Sequence, residues 1–100
     1  MRYNKLVRDK IPEIVKQKGG TAVIHIATRK EYWAKLKDKL REEVEEFNAK
    51  PSIEELADVL EVVDAIIEFK RFSVVSLEKV KKNKKRERGG FKKRIILEES

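Results

Sequence analysis

The sequence contains no cysteine and a single histidine, His25. Without cysteine the chain can form neither disulfide bonds nor thiolate zinc sites, and one histidine gives no support to a Ser–His–Asp triad. No apolar run approaches the ~20 residues that a membrane-spanning helix needs. The first ten residues, MRYNKLVRDK, lack the apolar region of a signal peptide. These absences predict a soluble cytoplasmic protein without a membrane partner.

The 100 residues suit one domain spanning 1–100, and their hydrophobic fraction of 40% allows only a small core. A core of that size is often shared with a second copy of the chain. The net charge is +7, but its distribution is uneven: residues 42–64 hold nine acids, and residues 79–94 hold ten Lys or Arg and one Glu. An acidic centre with basic flanks is what a site for metal and polyphosphate needs, although a solvated surface has the same composition.

Apolar spacing and capping residues predict a mainly α fold. Two long helices, over about 29–49 and about 53–70, are separated by a break that contains Pro51. A further helix runs from the region of Ser73 or Ser76 into the basic segment and stops at Gly89-Gly90. The predicted N-caps of the two long helices are Thr28 and Ser52. The two long helices are expected to pack as an antiparallel pair.

Shorter elements are predicted around this helix pair. Asp9 is the expected N-cap of a short helix that ends at Gly19-Gly20. TAVIHIA, residues 21–27, is rich in β-branched residues and bounded by glycine, which favours a strand. The segment RIIL, residues 94–97, could pair with it in a small two-stranded β element.

Several carboxylates lie beside the apolar face of the first long helix. At 100° per residue, Glu43 falls at about −60° and Glu46 at about −120° from Leu40, which is on the apolar stripe. On the second long helix, Glu55 falls inside the apolar arc and Asp58 at its margin. A carboxylate among apolar side chains needs a cation, a proton or a metal ion as partner. The four oxygen ligands suit Mg²⁺ or Mn²⁺, and a solvated acidic face is the alternative.

The same residues resemble the motifs of the MazG-like, all-α nucleoside triphosphate pyrophosphohydrolases. EEVEE, residues 42–46, fits EExxE, and EELAD, residues 54–58, supplies ExxD. The ends of the chain, YNKLVRDKIPEI and ERGGFKKRIIL, look like those of a small stand-alone subgroup of house-cleaning pyrophosphatases, which is also similar to phosphoribosyl-ATP pyrophosphohydrolase. The resemblance therefore covers nearly the whole chain.

This resemblance implies hydrolysis of a nucleoside triphosphate, including non-canonical ones, to the monophosphate and pyrophosphate. Mg²⁺, with Mn²⁺ as a substitute, would be held by four carboxylates and would activate water for attack on phosphorus. Either Glu42 or Glu43 would accept the proton of that water. The implied metal ligands are Glu43, Glu46, Glu55 and Asp58. The implied substrate-binding residues are Lys82, Asn83 and Arg86, followed by Arg8 and Lys10.

The position of the second motif has an alternative. Eight residues separate Glu46 from Glu55, fewer than is usual between the two motifs, whereas Glu61 and Asp64 in EVVD have the more ordinary spacing. Glu55 with Asp58 is preferred because ELAD opens its helix and Glu55 lies in the apolar arc. Glu61 is a further metal-ligand candidate.

Two other inferences concern partners. The apolar arc of the second long helix, from Leu60 through Leu56 to Phe69, covers roughly 180° of the helical wheel, more than one helix contact needs. This width predicts a homodimer in which two helix pairs form a four-helix bundle, and the resemblance implies the same dimer while allowing higher oligomers. The basic segment 79–94 keeps open a nucleic-acid-binding protein or a catalytically silent interaction module, although no motif for specific nucleic-acid recognition accompanies it.

Overall fold

The computed structural model describes residues 4–100, which form four α-helices. Helix α1 spans Ile11–Gln17, α2 Arg29–Ala49, α3 Ile53–Lys70 and α4 Val74–Arg88. The mainly α prediction is confirmed. None of these helices, within the described part of the chain, has the length and apolarity to cross a lipid bilayer.

The ends of the three longer helices follow from their capping residues. The Thr28 hydroxyl accepts from the Glu31 amide at 3.2 Å, the Ser52 hydroxyl from the Glu55 amide at 3.1 Å, and the Ser73 hydroxyl from the Ser76 amide at 3.1 Å. Each cap satisfies one of the amides that the first helical turn leaves without an intrahelical partner. The predicted bounds of α2 and α3 are confirmed. Ser73 is the N-cap of α4.

Helices α2 and α3 form an antiparallel pair. Only Lys50–Ser52 connects them, and the beginning of α2 meets the end of α3, where the ring of Phe69 lies 5.3 Å from Tyr32 and 5.7 Å from Trp33. The side chains buried between the helices include Leu36, which is 1% exposed, and Val62. The core is small, as the hydrophobic fraction of 40% predicts.

Two of the predicted local structures are wrong. Residues 21–27 and 94–97 form no strand within the described chain, and most of their aliphatic side chains are exposed, Val23 at 95% and Ile96 at 83%. A strand needs backbone hydrogen bonds to a neighbour, and β propensity alone does not provide one. Asp9 is also not a helix cap: α1 is capped by Lys10, without a side-chain hydrogen bond, because the turn closed by the Ile11 amide and the Arg8 carbonyl precedes it.

The C-terminal third of the chain extends away from this helix pair. Every residue from Lys70 to Ser100 is exposed, including all of α4. The radius of gyration is 17.9 Å, whereas a compact domain of this length has about 13 Å. The apolar side chains of this segment are consequently uncovered within one chain.

Candidate metal centre

Three carboxylates converge between α2 and α3. One oxygen from each of Glu43, Glu55 and Asp58 lies within 4.8 Å of the other two. Glu43 is in the C-terminal half of α2, whereas Glu55 and Asp58 are one turn apart in the first half of α3. Since the helices are antiparallel and only three residues connect them, the C-terminal half of α2 faces the beginning of α3.

Two of these carboxylates have an oxygen without a hydrogen-bond partner. Glu43 is only 6% exposed, and its Oε2 atom is buried and unpaired. The Oε2 atom of Glu55 is also buried and unpaired. A buried acceptor without a partner is costly, so these oxygens mark a place where a cation would be stabilised. The donor set consists of carboxylate oxygens, the type that Mg²⁺ and Mn²⁺ prefer. The residues therefore fit such an ion.

The other predicted carboxylates lie around this cluster. Glu46 follows Glu43 by one turn but is exposed. The negative charge of Glu43 is the main cause that raises the pKa of Glu46, with desolvation, a side-chain hydrogen bond to Glu43 and the charges of Glu42 and Glu55 adding to it. Glu46 is thus close enough to the cluster for the charge of the cluster to raise its pKa, and it lies on the side of the cluster that faces solvent.

Glu42, the other predicted catalytic residue, is bound to two lysines. Its carboxylate accepts from Lys5 Nζ at 3.1 Å and from Lys39 Nζ at 3.4 Å. Burial acts to raise the pKa of Glu42, but the hydrogen bonds and charges of the two lysines together outweigh burial and lower it. The two lysines therefore hold Glu42 ionised, and the same contacts lower its basicity.

The alternative second motif has a different environment. Glu61 and Asp64 line a shallow recess of about 380 Å³ between the N-terminal segment and the helix pair. Among the residues that the structure describes, neither joins the group formed by Glu43, Glu55 and Asp58. The geometry thus favours Glu55 with Asp58 as the second pair. Glu61 lies next to this pair, because its carboxylate is 4.0 Å from Arg8, which binds Asp58.

Cations also surround the cluster. Lys39 Nζ lies 3.2 Å from Glu43 Oε1, and Arg8 Nη2 donates to Asp58 Oδ1 at 2.7 Å. The N-terminal segment is further attached to α2 by Lys35, whose ammonium group donates to the Asn4 carbonyl at 2.7 Å. Lysine and arginine side chains of the same chain therefore partly neutralise these acids.

Lys39 and Lys5 were not among the sequence-predicted site residues. Lys39 precedes Glu43 by four positions, a spacing that brings two side chains together on one helix face. That spacing could have identified Lys39. Lys5 reaches Glu42 across 37 positions of sequence, and no local pattern indicates such a contact.

The predicted substrate-binding residues of α4 lie apart from the carboxylates. Lys82, Asn83 and Arg86 are exposed, and Arg86 donates to Asn83 Oδ1 at 2.9 Å. In the described chain, no hydrogen bond or ion pair connects these three residues to the carboxylate cluster. Lys10 is at the N-cap of α1 and is exposed.

Comparisons with known proteins leave the family open. No protein-family model matches the sequence, and no solved structure matches it. An uncharacterized protein of Mycolicibacterium smegmatis is 51% identical over 45 residues. Those residues are 45% of this chain and 46% of that protein, so the match spans less than half of either. A function for this chain consequently has to be argued from the site.

Proposed function

We propose that this protein is a Mg²⁺-dependent nucleoside triphosphate pyrophosphohydrolase of the MazG-like type. The observation that carries the proposal is the convergence of Glu43, Glu55 and Asp58 within 4.8 Å, with buried, unpaired oxygens on Glu43 and Glu55. An exposed acidic surface has no need to bury carboxylate oxygens without partners. A metal-binding site has that need, because the ion satisfies them.

The roles of the individual residues follow from their positions. Glu43, Glu55 and Asp58 would hold the ion, with Glu46 and Glu61 at the open side of the cluster. When bound, Mg²⁺ supplies charge neutralisation for the phosphates and activation of water. Glu42 lies next to Glu43 in the chain and its carboxylate is ionised, so its position makes it the proposed proton acceptor, although its two lysines lower its basicity.

The basic residues of α4 are proposed to act in a dimer. They are Lys82, Asn83 and Arg86, and within one chain they are exposed and unconnected to the carboxylates. A second copy could bring them to the site, where they would neutralise charge on the triphosphate. Arg8 and Lys10 are the basic residues of the N-terminal region proposed for the same purpose.

The uncovered apolar surface of the helix pair supports such a dimer. Leu56 is 45% exposed and Leu60 55% exposed, whereas Val62 on the same helix is buried against α2. The wide apolar arc of α3 is thus divided into one half that packs within the chain and one half that does not. Covering the second half with the same surface of another copy gives a four-helix bundle.

The test is hydrolysis of a mixture of canonical and damaged nucleoside triphosphates, with Mg²⁺ and with EDTA. The expected products are nucleoside monophosphate and pyrophosphate, formed only with the metal. Glu43→Gln and Glu55→Gln should lower the rate roughly 100-fold or more, since loss of even an outer partner of a metal ligand costs about 10–100-fold. Glu45→Gln, on the outer face of the same helix, is the matched control and should leave the rate unchanged. Release of orthophosphate, or turnover insensitive to EDTA, would contradict the proposal.

Nucleic-acid binding is the second candidate function. Its supporting observation is that the whole basic segment 79–94 is exposed. If this segment serves a nucleotide site, duplex and single-stranded nucleic acid should bind weakly, without preference, and only at low salt. Tight, specific binding at physiological salt that survives Glu43→Ala would favour the nucleic-acid-binding function. Absence of both activities would leave a catalytically silent interaction module.

A further inference from the structure

One residue of the metal cluster already has a strong charged partner from a distant part of the chain. Asp58 Oδ1 accepts from Arg8 Nη2 at 2.7 Å, a distance typical of a charge-assisted hydrogen bond. Arg8 Nη1 is also 4.0 Å from Glu61. The guanidinium group therefore binds Asp58, one of the three carboxylates that the proposed function assigns to a divalent ion, and lies between Asp58 and Glu61.

A guanidinium group and a divalent ion compete for such a position. An ion bound by the cluster would use the carboxylate of Asp58, and Arg8 would then face a double positive charge across one carboxylate. Two positive groups that bind the same carboxylate repel each other, even near a protein surface. The Arg8 side chain is 56% exposed, so it can swing into solvent to relieve this repulsion.

We propose that Arg8 and the divalent ion are alternative counter-ions of Asp58, and that binding of the ion releases Arg8 from α3. This inference rests on the metal site of the proposed function. It makes Arg8 a residue that opposes metal binding and becomes free when the metal is bound. The released guanidinium group then lies at the mouth of the site, where an anionic ligand of the ion would meet it.

The loss of the N-terminal contact is expected to be partial. Lys5 still binds Glu42 at 3.1 Å, and the Asn4 carbonyl still accepts from Lys35. These contacts are to α2, whereas Arg8 contacts α3. Metal binding should therefore loosen the part of the segment around Arg8 while its beginning stays attached to α2.

The size of the effect is bounded by the strength of the Arg8–Asp58 pair. Exposed ion pairs typically contribute a stabilisation equivalent to less than about a five-fold change in an equilibrium constant. The Arg8–Asp58 pair is the part of the cost of metal binding that Arg8→Gln removes, whereas the Lys39–Glu43 pair, at 3.2 Å, is the same in wild type and variant. Arg8→Gln should consequently lower the Kd for Mn²⁺ about two- to five-fold.

The experiment is a calorimetric titration of Mn²⁺ into the EDTA-treated, dialysed full chain, without nucleotide. Arg8→Gln is compared with Arg8→Lys, which keeps the charge and should stay close to wild type. The matched control is Arg41→Gln, which removes the same charge from an arginine whose partner is Asp38 on the outer face of α2. Glu43→Gln should abolish the binding, which locates the ion at the cluster. Hydrogen exchange of the Ile11 amide, which donates to the Arg8 carbonyl at 3.0 Å, should accelerate with Mn²⁺ in wild type and be fast with or without it in Arg8→Gln.

The outcomes separate this inference from the proposed function. An equal or weaker Mn²⁺ affinity in Arg8→Gln, or the same gain in Arg41→Gln, would overturn the exchange of counter-ions. Absence of Mn²⁺ binding by the wild-type chain would overturn both the exchange and the metal site of the proposed function. If Arg8→Gln shows the expected gain but no nucleotide is hydrolysed, the proposed function fails and the exchange stands.

Discussion

Glu55 offers a direct test of whether the cluster is built for an ion. Its Oε2 atom is buried without a partner, and its position on α3 is inside the apolar arc. Replacing Glu55 with methionine removes the carboxylate while keeping an unbranched side chain that fits both a helix and an apolar surface. In the presence of EDTA, this change should stabilise the fold.

The magnitude follows from two opposing contributions. A buried acceptor without a partner costs about 1–3 kcal/mol, which the substitution recovers. The carboxylate also lies in the first turn of α3, where the helix dipole stabilises it by about 0.3–1 kcal/mol, and this contribution is lost. Glu54 is in the same turn but exposed, so Glu54→Met loses the dipole contribution alone. The free energy of unfolding of Glu55→Met should therefore exceed that of Glu54→Met by about 1–3 kcal/mol.

The assay is urea denaturation of both variants and wild type at equal protein concentration, first with EDTA and then with saturating Mn²⁺. At a metal concentration of 100 times Kd, wild type and Glu54→Met should gain about 2.7 kcal/mol, whereas Glu55→Met should gain nothing. If Glu55→Met is no more stable than Glu54→Met with EDTA, the Glu55 carboxylate has a partner in solution. The buried oxygens would then not indicate a cation site.

Two further predictions concern assembly and pH. Leu60→Lys should reduce the mass measured by light scattering at micromolar concentration to that of a monomer, because Leu60 lies on the uncovered half of α3; Glu45→Lys should not, and a wild-type monomer would contradict the proposed dimer. Glu46→Gln should stabilise the EDTA-treated protein at pH 7 by about 0.2–0.5 kcal/mol, the usual cost of a like-charge pair on a helix. The pKa of Glu46 is raised above 4.5 in the folded chain, so its ionisation opposes folding above that folded value, and the opposition disappears as the pH falls below 4.5. Urea denaturation at pH 7 and pH 3.5 checks this, and an equal gain at both values would refute it.

Much of the helical structure could be predicted from the sequence because helix ends depend on local chemistry. Thr28, Ser52 and Ser73 each cap an amide three positions ahead, an interaction that needs no other part of the chain. The helical wheel likewise located Glu43 and Glu55 beside apolar positions, since the 100° step is a property of the helix alone. The prediction of a strand at 21–27 is wrong because the hydrogen bonds of a strand have to come from another segment of the chain, which a local pattern does not reveal.

Only the tertiary structure decided which apolar side chains of α3 are buried and which residues lie next to its acids. The sequence places Val62 and Leu60 in one continuous apolar arc, but only the packing of α3 on α2 buries Val62 and leaves Leu60 exposed. The same packing brings Asp58 within reach of Arg8, 50 positions earlier in the chain. Periodicity identifies which residues share a face of one helix. The residue that meets that face depends on how the connecting segments direct the chain through space, and this involves contacts too distant in sequence for any local pattern to encode.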